Sequence, residues 1–225
     1  MSRYYNSWPP HKLRYKFKDY QSVSETYSQA YQDIFVLTVL NGQRQGLYLE
    51  IGCNVPDHTN NTYLLSKQYN WTGVSIDFLA DLEPAWKAMR PKDLFLACDA
   101  FSIDYTEMLA DCQIVDYLQL DIDPAPNTLA LLNKLPLSTH RFRVITFETD
   151  IYAGQSNHIV REQSRKILTD HGYTLVVGDV LVDSKLPYED WWVDVNLTDK
   201  TTVLEIQDHA KSTQDPRKLL FDIER

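Results

Sequence analysis

The sequence predicts an α/β fold built on a parallel, doubly wound sheet, and three observations predict it. First, apolar strand-like runs and helix-like segments alternate at least five times along the chain, the pattern of stacked strand–helix units. Second, the stretch 47–65, LYLEIGCNVPDHTNNTYLL, reads as a buried strand, a turn holding Gly52, a polar loop and the start of an apolar helix. Such a unit aims backbone N–H groups and a helix N-terminus at one spot, where open α/β sheets bind small polar ligands. Third, each of the first five strands closes on an acid: Glu50, Asp77, Asp99, Asp121 with Asp123, and Glu148 with Asp150. Strand ends in a parallel sheet share one edge, so the set marks a hydroxyl-reading rim. A single acid there would as readily cap the next helix.

Taken in order, residues 28–44 predict a helix with Ser28 as N-cap and Ile34, Val36, Leu37 and Leu40 on its apolar face. The first strand, 47–51, leads to a helix from Thr59 to Tyr69, capped by Asp57 or Thr59. Strand 71–77 precedes a helix that tolerates Pro84 in its first turn. Strand 94–100 leads to a short helix at 105–109, and strand 115–123 to a helix opened by prolines. Strand 141–150 precedes an amphipathic helix with Gly172 as its C-cap. Strands 173–178 and 191–197 complete the sheet, and the polar tail after 198 carries no clear element.

A chain of 225 residues with 44% hydrophobic content suits one α/β domain. The division expected is a basic-aromatic N-terminal arm, 1–27, and a single domain, 28–225. A net charge of -9 disfavours nucleic acid as a partner, since duplex binding needs a basic face. No apolar run approaches the roughly 20 residues of a membrane span. No secretion signal is evident, and the three cysteines, Cys53, Cys98 and Cys112, show no paired spacing. Reduced thiols and a cytoplasmic location are therefore expected, with no zinc site.

An acid at the end of the second strand suits the ribose of a dinucleotide or of S-adenosylmethionine (SAM). A dinucleotide fingerprint uses several glycines so that backbone can approach a pyrophosphate. Here the loop is IGCNVPDHT, with one glycine and an acid nearby. A cationic sulfonium fits Glu50, Asp57 and Asp121 better than a pyrophosphate would, so electrostatics favours SAM over NAD.

SQAYQD (28–33), LYLEIGCNVPDHTNNT (47–62), NWTGVSID (70–77), YLQLDID (117–123), ITFETD (145–150), LTDHGYTLV (168–176) and EDWWV (189–193) occur in the order seen in one family. This set resembles the FkbM-type SAM-dependent methyltransferases from Ser28 to Leu197. The resemblance implies the class I methyltransferase, Rossmann-like fold: a seven-stranded, mostly parallel sheet of order 3-2-1-4-5-7-6 with the last strand antiparallel. It also implies O-methylation of a hydroxyl on a sugar, glycan or related product. Carried over residue by residue, Glu50, Gly52, Cys53 and Asn54 would surround the methionine and ribose end of SAM. Asp77 would bind the ribose hydroxyls, and Asp99 with Ala100 would hold the adenine. Asp121 would sit under the sulfonium, Gln29 and Asp33 would close over the cofactor, and Asn61 and Thr62 fit the family's motif after the first loop. Two positions depart from the family: Cys53 stands where a second small residue is usual, and DIDPAP replaces Asp-Ile/Val-Glu-Gly.

Transfer to an alcohol needs in-line approach and removal of the hydroxyl proton. Catalytic candidates on the rim are Asp121, Asp123, Glu148 and His158, with His58 in the first loop; His140 and His171 fall at the far end of the sheet. Carboxylates packed on neighbouring strand ends need a proton or a cation. One expectation is therefore Mg²⁺ or another divalent ion held by Asp121, Glu148 and Asp150; the other is a carboxylate acting alone as base. Of Trp191 and Trp192, one would pack inward and the other would stack on a sugar ring. The leading expectation is an O-methyltransferase for a carbohydrate or glycoside. The alternatives are a metal-dependent methyltransferase of catechol-like acceptors and a non-catalytic SAM-fold module, with an NAD-linked oxidoreductase weakened by the missing glycines.

Overall fold

The computed structural model describes residues 12–23 and 25–222. Its helices are α1 (Gln32–Val39), α2 (Tyr63–Tyr69), α3 (Glu83–Met89), α4 (Tyr105–Met108), α5 (Ala125–Leu132), α6 (Ser156–Asp170), α7 (Lys200–Ala210) and α8 (Pro216–Leu220). Its strands are β1 (Leu47–Ile51), β2 (Thr72–Asp77), β3 (Leu94–Ala97), β4 (Ile114–Leu120), β5 (Arg141–Glu148), β6 (Thr174–Val182) and β7 (Leu186–Val193). They form one seven-stranded sheet of order β3-β2-β1-β4-β5-β7-β6. Neighbours from β3 to β5 run parallel, while β7 is antiparallel to both β5 and β6.

The central strands are mostly apolar because both their faces are covered. Successive residues point to opposite sides. Tyr48, Tyr117, Val144 and Trp191 face a core closed by α1, α2, α7, α8 and the N-terminal segment. Leu49, Leu118, Ile145 and Trp192 face a second core closed by α4, α5 and α6. Both tryptophans are fully buried, and Trp191 stacks on Phe35 at 4.4 Å. The expected sugar-stacking tryptophan is corrected accordingly: antiparallel β7 has helices on both faces, so either side of it is interior.

Element ends moved where side chains compete with the backbone. Helix α1 starts at Gln32, not Ser28, because Asp33 folds the preceding loop onto itself. Its carboxylate accepts from Thr26 Oγ1 and Ser28 Oγ, each at 2.6 Å, and from the Tyr27 amide at 2.9 Å. Helix α2 starts at Tyr63 because Asn60 donates to the Cys53 and Val55 carbonyls and holds the loop open. Strands β4 and β5 stop at Leu120 and Glu148, which leaves Asp121, Asp123 and Asp150 in loops. The polar tail folds into α7, capped by Asp199 through the Thr201 and Thr202 amides, and α8, capped by Asp215. Val203, Ile206, Leu219 and Leu220 are buried beneath them.

The predicted arm is described from Lys12 on; its first eleven residues and Ser24 lie outside the described residues, as do 223–225. The described part is packed down. Leu13, Phe17 and Val23 are buried, and Leu13 bridges Phe221.

Two glycines at φ +79° test what the backbone demands. Gly172 closes α6: the Tyr173 and Gly172 amides donate to the Leu168 and Thr169 carbonyls at 3.0 and 2.9 Å, the pattern of a Schellman cap. A Cβ there meets nothing within 4 Å. At Gly52 it would lie 1.5 Å from the Asp121 carbonyl oxygen. Gly172→Ala should therefore cost about 1 kcal/mol, the left-handed penalty alone. Gly52→Ala should cost roughly 3 kcal/mol or more, or fail to fold, because backbone must move. Paired chemical denaturation of the two variants checks this ordering.

Candidate active site

The strand ends from β3 to β5 open on a cleft of about 830 Å³. Glu50, Gly52, Cys53 and Asn54 line it from β1 and its loop, Asp77, Phe78 and Leu79 from the end of β2, and Asp99, Ala100 and Phe101 from the end of β3. Gln119, Asp121, Asp123 and Asn127 line it from β4 and α5, Glu148 from β5 and Tyr188 from β7, while Gln29 and Gln32 lie over it before and in α1.

The first loop owes its shape to Gly52. The Gly52 and Cys53 amides donate to the Ile76 carbonyl at 2.9 and 3.3 Å, and the Asp121 amide donates to the Ile51 carbonyl at 3.0 Å. This crossing brings β1, β2 and β4 together. Asp77 then accepts the Asn54 amide on Oδ2 at 2.8 Å and the Leu79 amide on Oδ1 at 3.0 Å. Asp99 likewise caps its turn by accepting the Phe101 amide at 2.9 Å. Phe78 is 77% exposed, and with Leu79 and Phe101 it gives this end of the cleft an apolar rim.

Glu50 forms the floor. Its Oε2 accepts from Thr62 Oγ1 at 2.9 Å and Ser75 Oγ at 3.0 Å, with Arg90 Nη1 at 4.0 Å. Burial pushes the Glu50 carboxyl up, and Arg90 and these hydrogen bonds oppose it. Arg90 is itself buried and donates to Asp93, Asn60, Tyr48 and Thr62. Thr62 does not reach the cleft. The expectation that it touches cofactor is corrected: it is fully buried and positions Glu50.

Asp121 and Glu148 meet through a side-chain hydrogen bond. Burial pushes Asp121 up to about 6; the hydrogen bond from Glu148 opposes this, and Asp123, Asp150 and Asp77 add to it. Glu148 is pushed well above the carboxylate range, by burial first and then by Asp121. In the hydrogen bond they share, Glu148 is the donor and Asp121 the acceptor. Behind it, Tyr188 donates to Glu189 Oε1 at 3.0 Å and accepts from Gln32, and Trp191 Nε1 donates to the same oxygen at 2.6 Å. Burial pushes Glu189 up to about 8.

Among the described residues no group of three or more His, Cys, Asp or Glu side chains is placed to hold a metal ion. Asp150 does not line the cleft; it is buried, and its amide donates to the Tyr188 carbonyl at 2.8 Å. Its carboxyl meets Glu148, which also meets Asp121, but the three are not arranged to hold a metal ion, and the structure does not support the Mg²⁺ expectation. His158 is also corrected: it is exposed on α6, off the buried stripe of Asn157, Val160, Ser164 and Leu168, and away from the cleft lining. His58 is exposed and pairs with Asp57 at 2.7 Å. Asp33 is buried in its loop contacts rather than placed over the cleft. Asp190 is held by a two-point contact from Arg165, at 2.7 Å for each oxygen.

Sequence reasoning passed over Gln32, Gln119, Tyr188 and Arg90. Gln119 had a readable signal: it stands two residues before Asp121, and β1–β4 register sets it beside Glu50.

No family model matches the sequence, and no curated protein matches it. Solved structures do match. A putative rRNA-methylase from Clostridium thermocellum aligns over 76% of this chain and 97% of its own, at 12% identity and TM-score 0.52. A chain of the fibrillarin/Nop5p complex aligns over 74% of this chain and 80% of its own, at 14% identity and TM-score 0.53. Together with the 3-2-1-4-5-7-6 strand order, these likenesses decide the fold. The chain has the class I methyltransferase fold. In this methyltransferase fold the cleft lies at the C-terminal edge of the parallel strands, as the row of strand-end acids predicts. Among the described residues no helix is long and apolar enough to cross a membrane.

Burying a carboxyl as its acid links stability to pH. The ordinary Glu value is about 4.3, and Glu189 is raised to about 8 when folded. Between those values the folded chain binds the extra proton. This contribution is full below the ordinary value and is lost as pH rises through 8. Glu189→Gln, which keeps the oxygen that accepts from Tyr188 and Trp191, should flatten the fall in melting temperature between pH 5 and 9. Thermal melts at steps of pH check it.

Proposed function

We propose that this protein is a SAM-dependent O-methyltransferase acting on a hydroxyl of a carbohydrate or glycoside. The observation that carries the reading is the convergence of Glu50, Asp77, Asp99, Asp121 and Glu148 on one cleft of the class I methyltransferase fold. Asp77 and the Asn54 loop suit a ribose, and Ala100 between Phe78, Leu79 and Phe101 suits an adenine. A pyrophosphate would meet this acidic lining unfavourably, which supports SAM over a dinucleotide. The sugar acceptor rests on the FkbM resemblance and on the hydroxyl-reading character of the rim.

SAM supplies a methyl group on a sulfonium sulfur, which leaves as a neutral thioether with the C–S electron pair. The chain supplies charge, alignment and a base. Asp121 is the base: the acceptor O–H proton moves to its carboxylate as the new C–O bond forms. An alcohol is a far weaker acid than a carboxyl, so that proton moves late, once the oxygen is already bonding to carbon. Glu148 keeps Asp121 anionic by donating to it, and Tyr188, fixed by Gln32 and Glu189, keeps that end of the cleft rigid.

Isothermal titration should give binding of SAM and none of NAD, and labelled SAM should transfer its methyl to members of a panel of unmethylated saccharides. Asp121→Asn should lower kcat by about 10²–10⁴-fold, the usual worth of a general base. In the wild type, kcat/KM should rise with pH through about 6, as Asp121 loses its proton. A wild-type rate flat from pH 5 to 8, or a variant of full activity, would refute the assignment of base.

A further inference from the structure

Gln119 is a buried amide whose carbonyl has nothing to bind. It lies on β4 at 4% exposure and lines the cleft, and its Oε1 has no hydrogen-bond partner among the described residues. The other buried amides among those residues are engaged. Gln32 accepts from the Ala30 amide at 2.7 Å and donates to Tyr188. Asn60 donates to the Cys53 and Val55 carbonyls and accepts from Arg90 at 3.0 Å, and Asn157 donates to the Asp150 carbonyl at 2.9 Å. A buried carbonyl left unpaired is rare and costly in a folded chain. A second one lines the same cleft: Asn61 Oδ1, in the first loop, is also buried without a partner among the described residues.

Neither strand neighbour supplies the donor that Gln119 lacks. On β1 its register partner is Glu50, which accepts from Thr62 and Ser75. On β5 its register partner is Thr146, whose hydroxyl is bonded to Tyr117 at 2.8 Å. Tyr48 and Tyr117, two residues earlier on β1 and β4, face the core under α1, so Glu50 and Gln119 point to that same side. Asn61 immediately precedes Thr62, whose hydroxyl bonds Glu50, so the loop carbonyl also belongs to the surroundings of this carboxylate.

Amide carbonyls and a carboxylate only accept hydrogen bonds. Together they ask for a cation with several donors, and an ammonium carries three. The strand order indicates which ammonium. With adenine at the end of β3 and ribose at the end of β2, the rest of SAM runs on to the ends of β1 and β4, the next strands in the sheet. That remainder is its amino-acid end. No Lys, Arg or His is among the lining residues to compete for these acceptors.

We propose that Gln119 and Asn61 receive the α-ammonium of SAM beside Glu50, and that the chain selects its methyl donor by this group. The proposal rests on the reading of the cleft as a SAM site and adds to it two residues that bind without reacting.

Isothermal titration of the full chain with a set of adenosine probes tests it. The probes are S-adenosylhomocysteine (SAH), its deaminated analogue, which keeps the carboxylate, its decarboxylated analogue, which keeps the ammonium, and 5′-methylthioadenosine, which lacks both. None carries a sulfonium, so the amino-acid end is isolated. The deaminated analogue should bind roughly tenfold weaker than SAH, the scale of a hydrogen bond to a charged group. Gln119→Leu should weaken SAH and the decarboxylated analogue by about the same factor, and leave the deaminated analogue and 5′-methylthioadenosine unchanged. Asn61→Ala should shift the probes in the same pattern. Leucine fills the site without an unpaired carbonyl, so the ligand-free Gln119→Leu chain should melt no lower than the wild type. Equal binding of SAH and its deaminated analogue, full SAH affinity in Gln119→Leu, or a Gln119→Leu chain that melts lower or fails to fold would each overturn the inference and leave the SAM reading standing. If none of the probes binds the wild-type chain, the SAM reading itself falls.

Discussion

One buried guanidinium holds the floor of this cleft. Arg90, at the end of α3, reaches the Tyr48 hydroxyl on β1, Asn60 and Thr62 in the first loop, and Asp93 before β3. It also lies over the rings of Trp86 and Tyr48, at 4.6 and 5.3 Å. A buried charge survives only if it is paired and hydrogen-bonded. Arg90 is, and in return it tempers the cost of burying Glu50. Removing either partner would strand the other in a medium that cannot solvate it. The loop geometry presented to a ligand therefore depends on a residue that never touches that ligand.

The same constraint is solved differently a few strands away. Among the described residues no arginine pairs with Asp121, Glu148 or Glu189, and burial pushes all three carboxyls up. The two halves of the cleft thus differ in kind. Around Glu50 the protein supplies the counter-charge, while around Asp121 and Asp123 no described residue forms an ion pair. In the reaction proposed above, this asymmetry lets one carboxylate serve as base while its neighbour stays an acid.

Much of the architecture was legible because it lives in short-range pattern. The strands from β1 to β5 are predominantly apolar runs, and the turn at Gly52 and the acids at the strand ends lie in or next to them in sequence. Of the expected site residues, Gln29, Glu50, Gly52, Cys53, Asn54, Asp77, Asp99, Ala100, Asp121, Asp123 and Glu148 all line the one cleft. What escaped depends on long-range partners. Arg90 meets Tyr48 across 42 positions and Gln32 meets Tyr188 across 156, and no local pattern announces either. Helices α7 and α8 hid in a polar composition that carries only a narrow buried stripe. His158 was misplaced because its position at the start of a helix was read without the phase of that helix.

The pairing of Leu13 with Phe221 has a kinetic side. Arg14 and Phe221 are separated by 207 positions yet share a hydrogen bond. Until the residues near 220 have left the ribosome, the apolar side chain of Leu13 lacks its cover. Closure of that face is therefore a late, high-contact-order event in synthesis. Before it, the nascent chain exposes a sticky surface, the kind that chaperones shield and that aggregation exploits.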